Sequence, residues 1–187
     1  SGFVLNSMQK DALERLEELR SEGKDKALLV SATGTGKTIL AASDVNQVKP
    51  ERFLFIIHRE QIALEAMQSF MRHLDESVAC GLLAGSSKDI TSPYLFSTIQ
   101  TLTKDEVLYS FDRDWFDYIV VDEAHHAPAA SYTKVLAYFR PSFLLGMTAT
   151  PVRPDGKDVH GFFDNTVAAE ISLAQALEED LLAPFHY

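Results

Sequence analysis

The sequence predicts an α/β fold: a mostly parallel central sheet with helices on both faces. Three observations predict it. Short apolar runs of strand length alternate with stretches of helical periodicity. The runs show little polar alternation, as in Phe53-Leu54-Phe55-Ile56-Ile57, so the strands are covered from both sides. A glycine-rich turn, Gly34-Thr35-Gly36-Lys37-Thr38, falls directly between a strand and a helix.

The elements follow in order. Residues 7–21 form an amphipathic helix, with Met8, Ala12, Leu13, Leu16 and Leu19 on one stripe and Lys10, Glu14, Arg15, Glu17 and Glu18 around the rest. Ser7 is the expected N-cap and Gly23 the expected stop. Residues 27–30 form a strand, and the helix after the glycine-rich turn runs to Val48, ahead of Pro50. Strand 53–57, helix 60–73, strand 78–83, a polar loop over 85–92 and strands 94–97 and 116–121 come next. Helix 130–139 and strand 142–146 follow, then an irregular stretch over 151–168 and a short helix over 172–179. The stripes Ile62, Ala66, Phe70 and Val135, Ala137, Tyr138 are assigned to packing on the sheet, as are Trp115, Phe116 and Tyr118.

Composition narrows the function classes. The 187 residues suit one domain, and 46% hydrophobic residues suffice for a packed core. Asp and Glu number 27 against 17 Lys and Arg, a net charge of −10. This excludes a polybasic nucleic-acid binder but not a nucleic-acid enzyme with a local basic track. A single cysteine, Cys80, excludes a disulfide framework and a four-cysteine zinc site within the chain, and reads as a buried structural thiol. No apolar run approaches the roughly 20 residues of a membrane span. No charged leader precedes the first helix, so a cytoplasmic location without a membrane partner is expected.

Two strand ends carry the chemistry. In Ser31-Ala32-Thr33-Gly34-Thr35-Gly36-Lys37-Thr38 the glycines allow backbone N–H groups to approach phosphate oxygens, and the following helix adds its positive N-terminal end. Lys37 is placed to reach β- and γ-phosphates and Thr38 to offer a hydroxyl to Mg²⁺. Ser31 stands where the strict pattern has its first glycine. In Tyr118-Ile119-Val120-Val121-Asp122-Glu123-Ala124-His125-His126 a buried strand ends in two carboxylates. Beside a phosphate loop their natural partner is nucleotide-borne Mg²⁺: Asp122 holds the ion and Glu123 polarises the attacking water. The spacing of His125 and His126 is not that of a zinc-binding helix, and His125 is placed instead near the γ-phosphate.

These residues resemble a superfamily 2 helicase of the DEAD/DEAH-box type. Ser31–Thr38 is similar to motif I, Asp122-Glu123-Ala124-His125 spells the DEAH box of motif II, and Thr148-Ala149-Thr150-Pro151 is similar to motif III. His58-Arg59-Glu60-Gln61 resembles motif Ia, Ser97-Thr98-Ile99-Gln100-Thr101-Leu102 resembles motif Ib, and Gln9 resembles the motif 0 glutamine that reads adenine. The resemblance is to the first RecA-like lobe of the branch holding the translocase subunits of type I and type III restriction enzymes. The segments 153–158 and 176–182 look like bacterial helicases fused to a phospholipase-D-like nuclease.

The resemblance implies a single RecA-like lobe over 1–187 that binds ATP and Mg²⁺. Cofactor contacts then fall to Gln9, Thr33, Gly34, Thr35, Gly36, Lys37, Thr38 and His125, with Thr38 and Asp122 on the metal and Lys37, Asp122 and Glu123 catalytic. It implies nucleic-acid contacts from Arg59, Thr98 and Gln100, with Lys104 as a further candidate, and coupling through Thr148 and Thr150. DNA is expected in preference to RNA. A second RecA-like lobe, supplying arginine fingers worth roughly 10³–10⁵ in kcat, is expected beyond the apolar end at Tyr187. A nuclease domain is a possible further partner. Alone, the lobe is expected to bind nucleotide and hydrolyse it poorly. The competing reading is a nucleotide-dependent switch that regulates a nuclease without unwinding.

Overall fold

The computed structural model describes residues 5–31, 34–123, 128–149 and 167–171. Helix α1 (Ser7–Ser21) leads into β1 (Lys26–Ser31), α2 (Gly34–Val48), β2 (Phe53–Ile57), α3 (Glu60–His73) and β3 (Cys80–Ala84). Then come β4 (Ser87–Lys88), β5 (Tyr94–Thr98), α4 (Ile99–Leu102), α5 (Asp105–Leu108), β6 (Tyr118–Asp122), α6 (Ala129–Tyr138), β7 (Phe143–Thr148) and β8 (Val167–Ile171). One eight-stranded sheet has the order β4-β3-β5-β2-β6-β7-β1-β8. Every pairing is parallel except that of β4 with β3. The carboxyl ends of the parallel strands therefore share one edge, where α/β sheets place their ligands.

The continuous apolar runs are explained by two cores. Because side chains alternate along a strand, Phe53, Phe55 and Ile57 enter one cluster with residues of α1, α2 and α3. Leu54 and Ile56 enter another with residues of α4, α5 and α6. Phe53 stacks on Phe70 with ring centroids 5.3 Å apart, and Phe70 meets Phe96 edge-on at 5.1 Å. Phe116 and Tyr118 are buried as expected, and Arg52 lies 4.1 Å over the Trp115 ring.

Helix α1 is keyed to the sheet by charge. Asp44 of α2 is fully buried and accepts two hydrogen bonds from Arg20, at 2.7 and 2.8 Å, and a third from the Tyr118 hydroxyl at 2.6 Å. The Arg20 guanidinium also lies 4.8 Å over the Phe143 ring. The group thus joins α1, α2, β6 and β7.

Several local expectations are corrected. The N-cap of α1 is Asn6, not Ser7: Asn6 Oδ1 accepts from Gln9 N–H at 2.8 Å while Gln9 Oε1 accepts from Asn6 N–H at 3.0 Å. This reciprocal pair satisfies two end donors at once, which one hydroxyl cannot. Gly23 does end the helix, at φ 83°, with Gly23 and Lys24 N–H donating back to Arg20 and Leu19 carbonyls. Strand β3 starts at Cys80, two residues late, and the polar loop contains β4. Helices α4 and α5 were not expected from periodicity. In α6 the buried residues are Tyr132 and Val135, with buried Phe139 just past its end, while Ala137 is exposed. Strand β8 begins inside the stretch read as irregular, pairing with β1 through a register shift. The expected helix over 172–179 lies outside the described residues.

Cys80 is half-buried rather than enclosed, and burial pushes its thiol up to about 11. At pH 8 only about one molecule in a thousand then carries the thiolate. Ellman's reagent should react at least about ten-fold more slowly with the native protein than with the urea-unfolded protein. Equal rates would show a thiol open to attack.

Candidate functional site

The central strands place the candidate residues at one edge. Val30 of β1 pairs with Thr148 of β7, and Asp122 of β6 pairs with Met147 of β7. The phosphate-loop strand and the acidic strand therefore flank the strand that ends in Thr148. Ser31 is the last residue of β1, is buried, and pairs with Ile171. Gly34, Thr35 and Gly36 form the first turn of α2, and a helix N-terminus directs its N–H groups toward an anion.

Lys37 reaches across this edge. It is 4% exposed, and its Nζ lies 2.9 Å from Asp122 Oδ1 and forms a second ion pair with Glu123 Oε1. Three charges removed from water need one another. Glu123 adopts φ 53°, the left-handed region that non-glycine residues occupy only at a cost. Its N–H donates to Met147 O at 2.9 Å, and its Oε1 accepts from Ala149 N–H at 3.0 Å. The end of β7 thus holds the Glu123 carboxylate as well as its backbone. Thr148 is 1% exposed.

The charged cluster opens into a cavity of about 760 Å³. Lys37, Thr38, Asp122 and Glu123 line it on the sheet side, and His58, Arg59 and residues of α3 line it opposite. Thr38 and Asp122 are hard oxygen donors on the same cavity, a donor set that fits Mg²⁺ bound through few protein ligands and substrate oxygens. Among the described residues, no group of three or more His, Cys, Asp or Glu is placed to hold a metal by itself. No helix among them is long and apolar enough to cross a membrane.

The remaining candidates are placed unevenly. Arg59 is exposed, just ahead of α3. Gln100 is exposed and donates to the His58 carbonyl at 2.9 Å, tying the loop after β2 to α4. Thr98 is 6% exposed, and its hydroxyl caps α4 by accepting from Thr101 N–H and bonding Thr101 Oγ1 at 3.0 Å. Its side chain thus also serves inside the fold, as a helix cap. Lys104 is exposed ahead of α5. Gln9 lies half-buried in the first turn of α1, its amide oxygen taken by the cap. Thr33, His125 and Thr150 lie outside the described residues. Sequence reasoning did not single out Tyr132 of α6, which is 1% exposed; burial first, then the charges of Asp122 and Glu123, raise its phenol above the ordinary range. Its place on the i, i+3, i+7 face with Val135 and Phe139 was the available signal.

Residues 2–153 match the family pattern described as type III restriction enzyme, res subunit. The chain belongs to this family. This res-subunit-family chain is 27% identical over 185 residues to the putative ATP-dependent helicase IRC3 of Saccharomyces cerevisiae, covering 89% of this chain and 26% of that protein. It is 28% identical over 196 residues to the type I restriction enzyme EcoAI endonuclease subunit of Escherichia coli, covering 99% and 24%. The res-subunit-family chain thus spans about a quarter of the length of these curated relatives. Among solved structures, a nuclease-deletion mutant of the type ISP restriction-modification enzyme LlaGI, in complex with a DNA substrate mimic, aligns with a TM-score of 0.74 at 20% identity. That alignment covers 95% of this chain and 18% of LlaGI. The Sulfolobus solfataricus SWI2/SNF2 ATPase core in complex with dsDNA aligns at 0.68 and 18% identity, covering 86% and 35%. The expected RecA-like fold and superfamily 2 resemblance are borne out.

Proposed function

We propose that this chain is the ATP-binding lobe of an ATP-dependent helicase or translocase acting on DNA. The observation that carries the reading is the ion-paired group Lys37, Asp122 and Glu123, beside Thr38 at the mouth of the cavity. Support for DNA comes from the restriction-enzyme relative and from the DNA-bound structures of similar fold.

In this reading the first turn of α2 receives the phosphates on its N–H groups. Lys37 turns from the two carboxylates to β- and γ-phosphate oxygens. Thr38 and Asp122 would hold Mg²⁺, which would supply positive charge against the triphosphate. Glu123, fixed by Ala149 N–H, orients the attacking water and takes its proton. Gln9 stands in the helix that would face the base, and His125 would sense the γ-phosphate. Arg59 and Gln100 lie on the rim that would meet a nucleic-acid backbone, contacts that position a strand without reading it. Thr148 and Thr150 would pass the loss of phosphate to that rim. A second RecA-like lobe would complete the site with arginine fingers, leaving the lobe alone a slow hydrolase.

The test is steady-state ATPase of the full-length protein with no nucleic acid, single-stranded DNA, duplex DNA or RNA. Stimulation by DNA of about ten-fold or more is expected, with loss of the stimulation as salt rises. Strongest stimulation by RNA would reassign the track. A rate indifferent to all four conditions would defeat the motor reading in favour of a nucleotide switch acting on a nuclease.

A further inference from the structure

The cavity wall opposite the charged cluster begins with His58 and Arg59, at the junction of β2 and α3. The usual local lock on such a junction is missing. Arg59 is the N-cap of α3, at φ −127° and ψ 134°, and makes no side-chain cap bond. Two neighbouring strand-end loops brace the junction instead. Gln100 Nε2 donates to the His58 carbonyl at 2.9 Å. Glu60 lays its carboxylate against Gly85, in the turn after β3. A Cβ on Gly85 would stand 2.7 Å from Glu60 Oε2, and Gly85 adopts φ 55°.

The footing of Gln100 is firm. The other three residues of α4, Ile99, Thr101 and Leu102, are buried, and the Thr98 hydroxyl caps the helix. Gln100 is exposed, and its amide turns back to the loop that presents Arg59. One exposed hydrogen bond contributes little to stability, since water can replace it. What it can set is direction: the carbonyl it holds belongs to the peptide that joins His58 to Arg59.

We propose that Gln100 is a positioning residue: its amide fixes the His58–Arg59 peptide so that the Arg59 guanidinium meets a nucleic-acid phosphate at the rim. Gln100 then serves the track through Arg59 rather than by a contact of its own. The inference rests on the nucleic-acid reading of the rim. This role has a signature that a direct contact lacks. A neutral amide on a phosphate displaces no counterion, whereas an arginine does. Removing uncharged Gln100 should therefore change the salt dependence of binding, because the cation it aims is lost.

The experiment compares Gln100→Met, nearly isosteric and without a donor, with Arg59→Met, the double variant and the parent, all as full-length protein. Fluorescence anisotropy follows labelled single-stranded and duplex DNA across a salt series. Gln100→Met should weaken binding about five-fold at low salt. Like Arg59→Met, it should make the plot of log affinity against log salt shallower by about one. The double variant should bind within about two-fold of Arg59→Met. An unchanged slope for Gln100→Met, or losses that multiply in the double variant, overturns the proposal. So does a fall of more than about 2 °C in the melting temperature of Gln100→Met, which would make the bond a structural one. If the parent binds neither DNA, the DNA reading fails separately. Hydrogen–deuterium exchange over residues 58–63 then decides for Gln100: faster exchange in Gln100→Met supports the brace, and equal exchange overturns it.

Discussion

Glu123→Gln should lower ATP turnover by the full-length protein by roughly 10²–10⁴-fold, the usual contribution of a general base, while nucleotide still binds. The substitution is nearly isosteric. Glutamine keeps an amide oxygen to accept from Ala149 N–H, and it asks nothing new of a backbone already at φ 53°. What it removes is the negative charge. Two consequences separate: the attacking water loses its proton acceptor, and Lys37 loses one of its two anionic partners. Lys37 is then freer to meet phosphate, so affinity should stay equal or tighten. Single-turnover hydrolysis together with binding of a fluorescent ATP analogue reads both effects. Turnover within about three-fold of the parent would remove Glu123 from the proton-transfer role.

Asp44→Ala should be the most damaging change away from the site. It leaves the half-enclosed Arg20 guanidinium and the fully buried Tyr118 hydroxyl without their shared acceptor. Breaking such a buried pair costs about 3–5 kcal/mol. In a domain of this size each kcal/mol moves the melting temperature by roughly 2–4 °C, so a fall of roughly 10 °C is expected. The double variant Asp44→Ala with Arg20→Met should lose less than the sum of the single losses, because no unpaired cation remains. A thermal melt of the four proteins closes the cycle. A shift under about 2 °C for Asp44→Ala would show that the triad holds nothing together.

What the sequence disclosed and what it hid have physical reasons. The strands were legible because both their faces are buried, which writes uninterrupted runs such as 53–57 and 118–122. The phosphate loop and the acidic strand end were legible as chemistry because turn and charge sit at a strand–helix junction. The four-residue helices α4 and α5 are shorter than the periodic pattern that reveals a helix. Strand β8, with two alanines and a glutamate, has weak strand preference and is held by pairing with β1. Asp44 looked like any polar helix residue; only the fold brings Arg20 and Tyr118 to it. Thr98 offered a hydroxyl in a promising motif, and tertiary structure used that hydroxyl as a cap. Charge type could be read locally, but partnership across the sheet could not.

The strand order also governs how the protein can be made. Strand β1 leaves the ribosome well before both its neighbours, β7 and β8. Lys26 waits for Leu144, and Ser31 waits for Ile171. Meanwhile β2, β3, β5 and β6 can close as a half-sheet from residues 53–122. The nascent chain therefore carries a bare, apolar β1 with two open edges while residues 32–142 are made, when strands are most prone to stray pairing. The turn after β1 gains a rigid base only when β7 and β8 dock, so the edge that carries Lys37 and Asp122 is assembled late relative to the half-sheet.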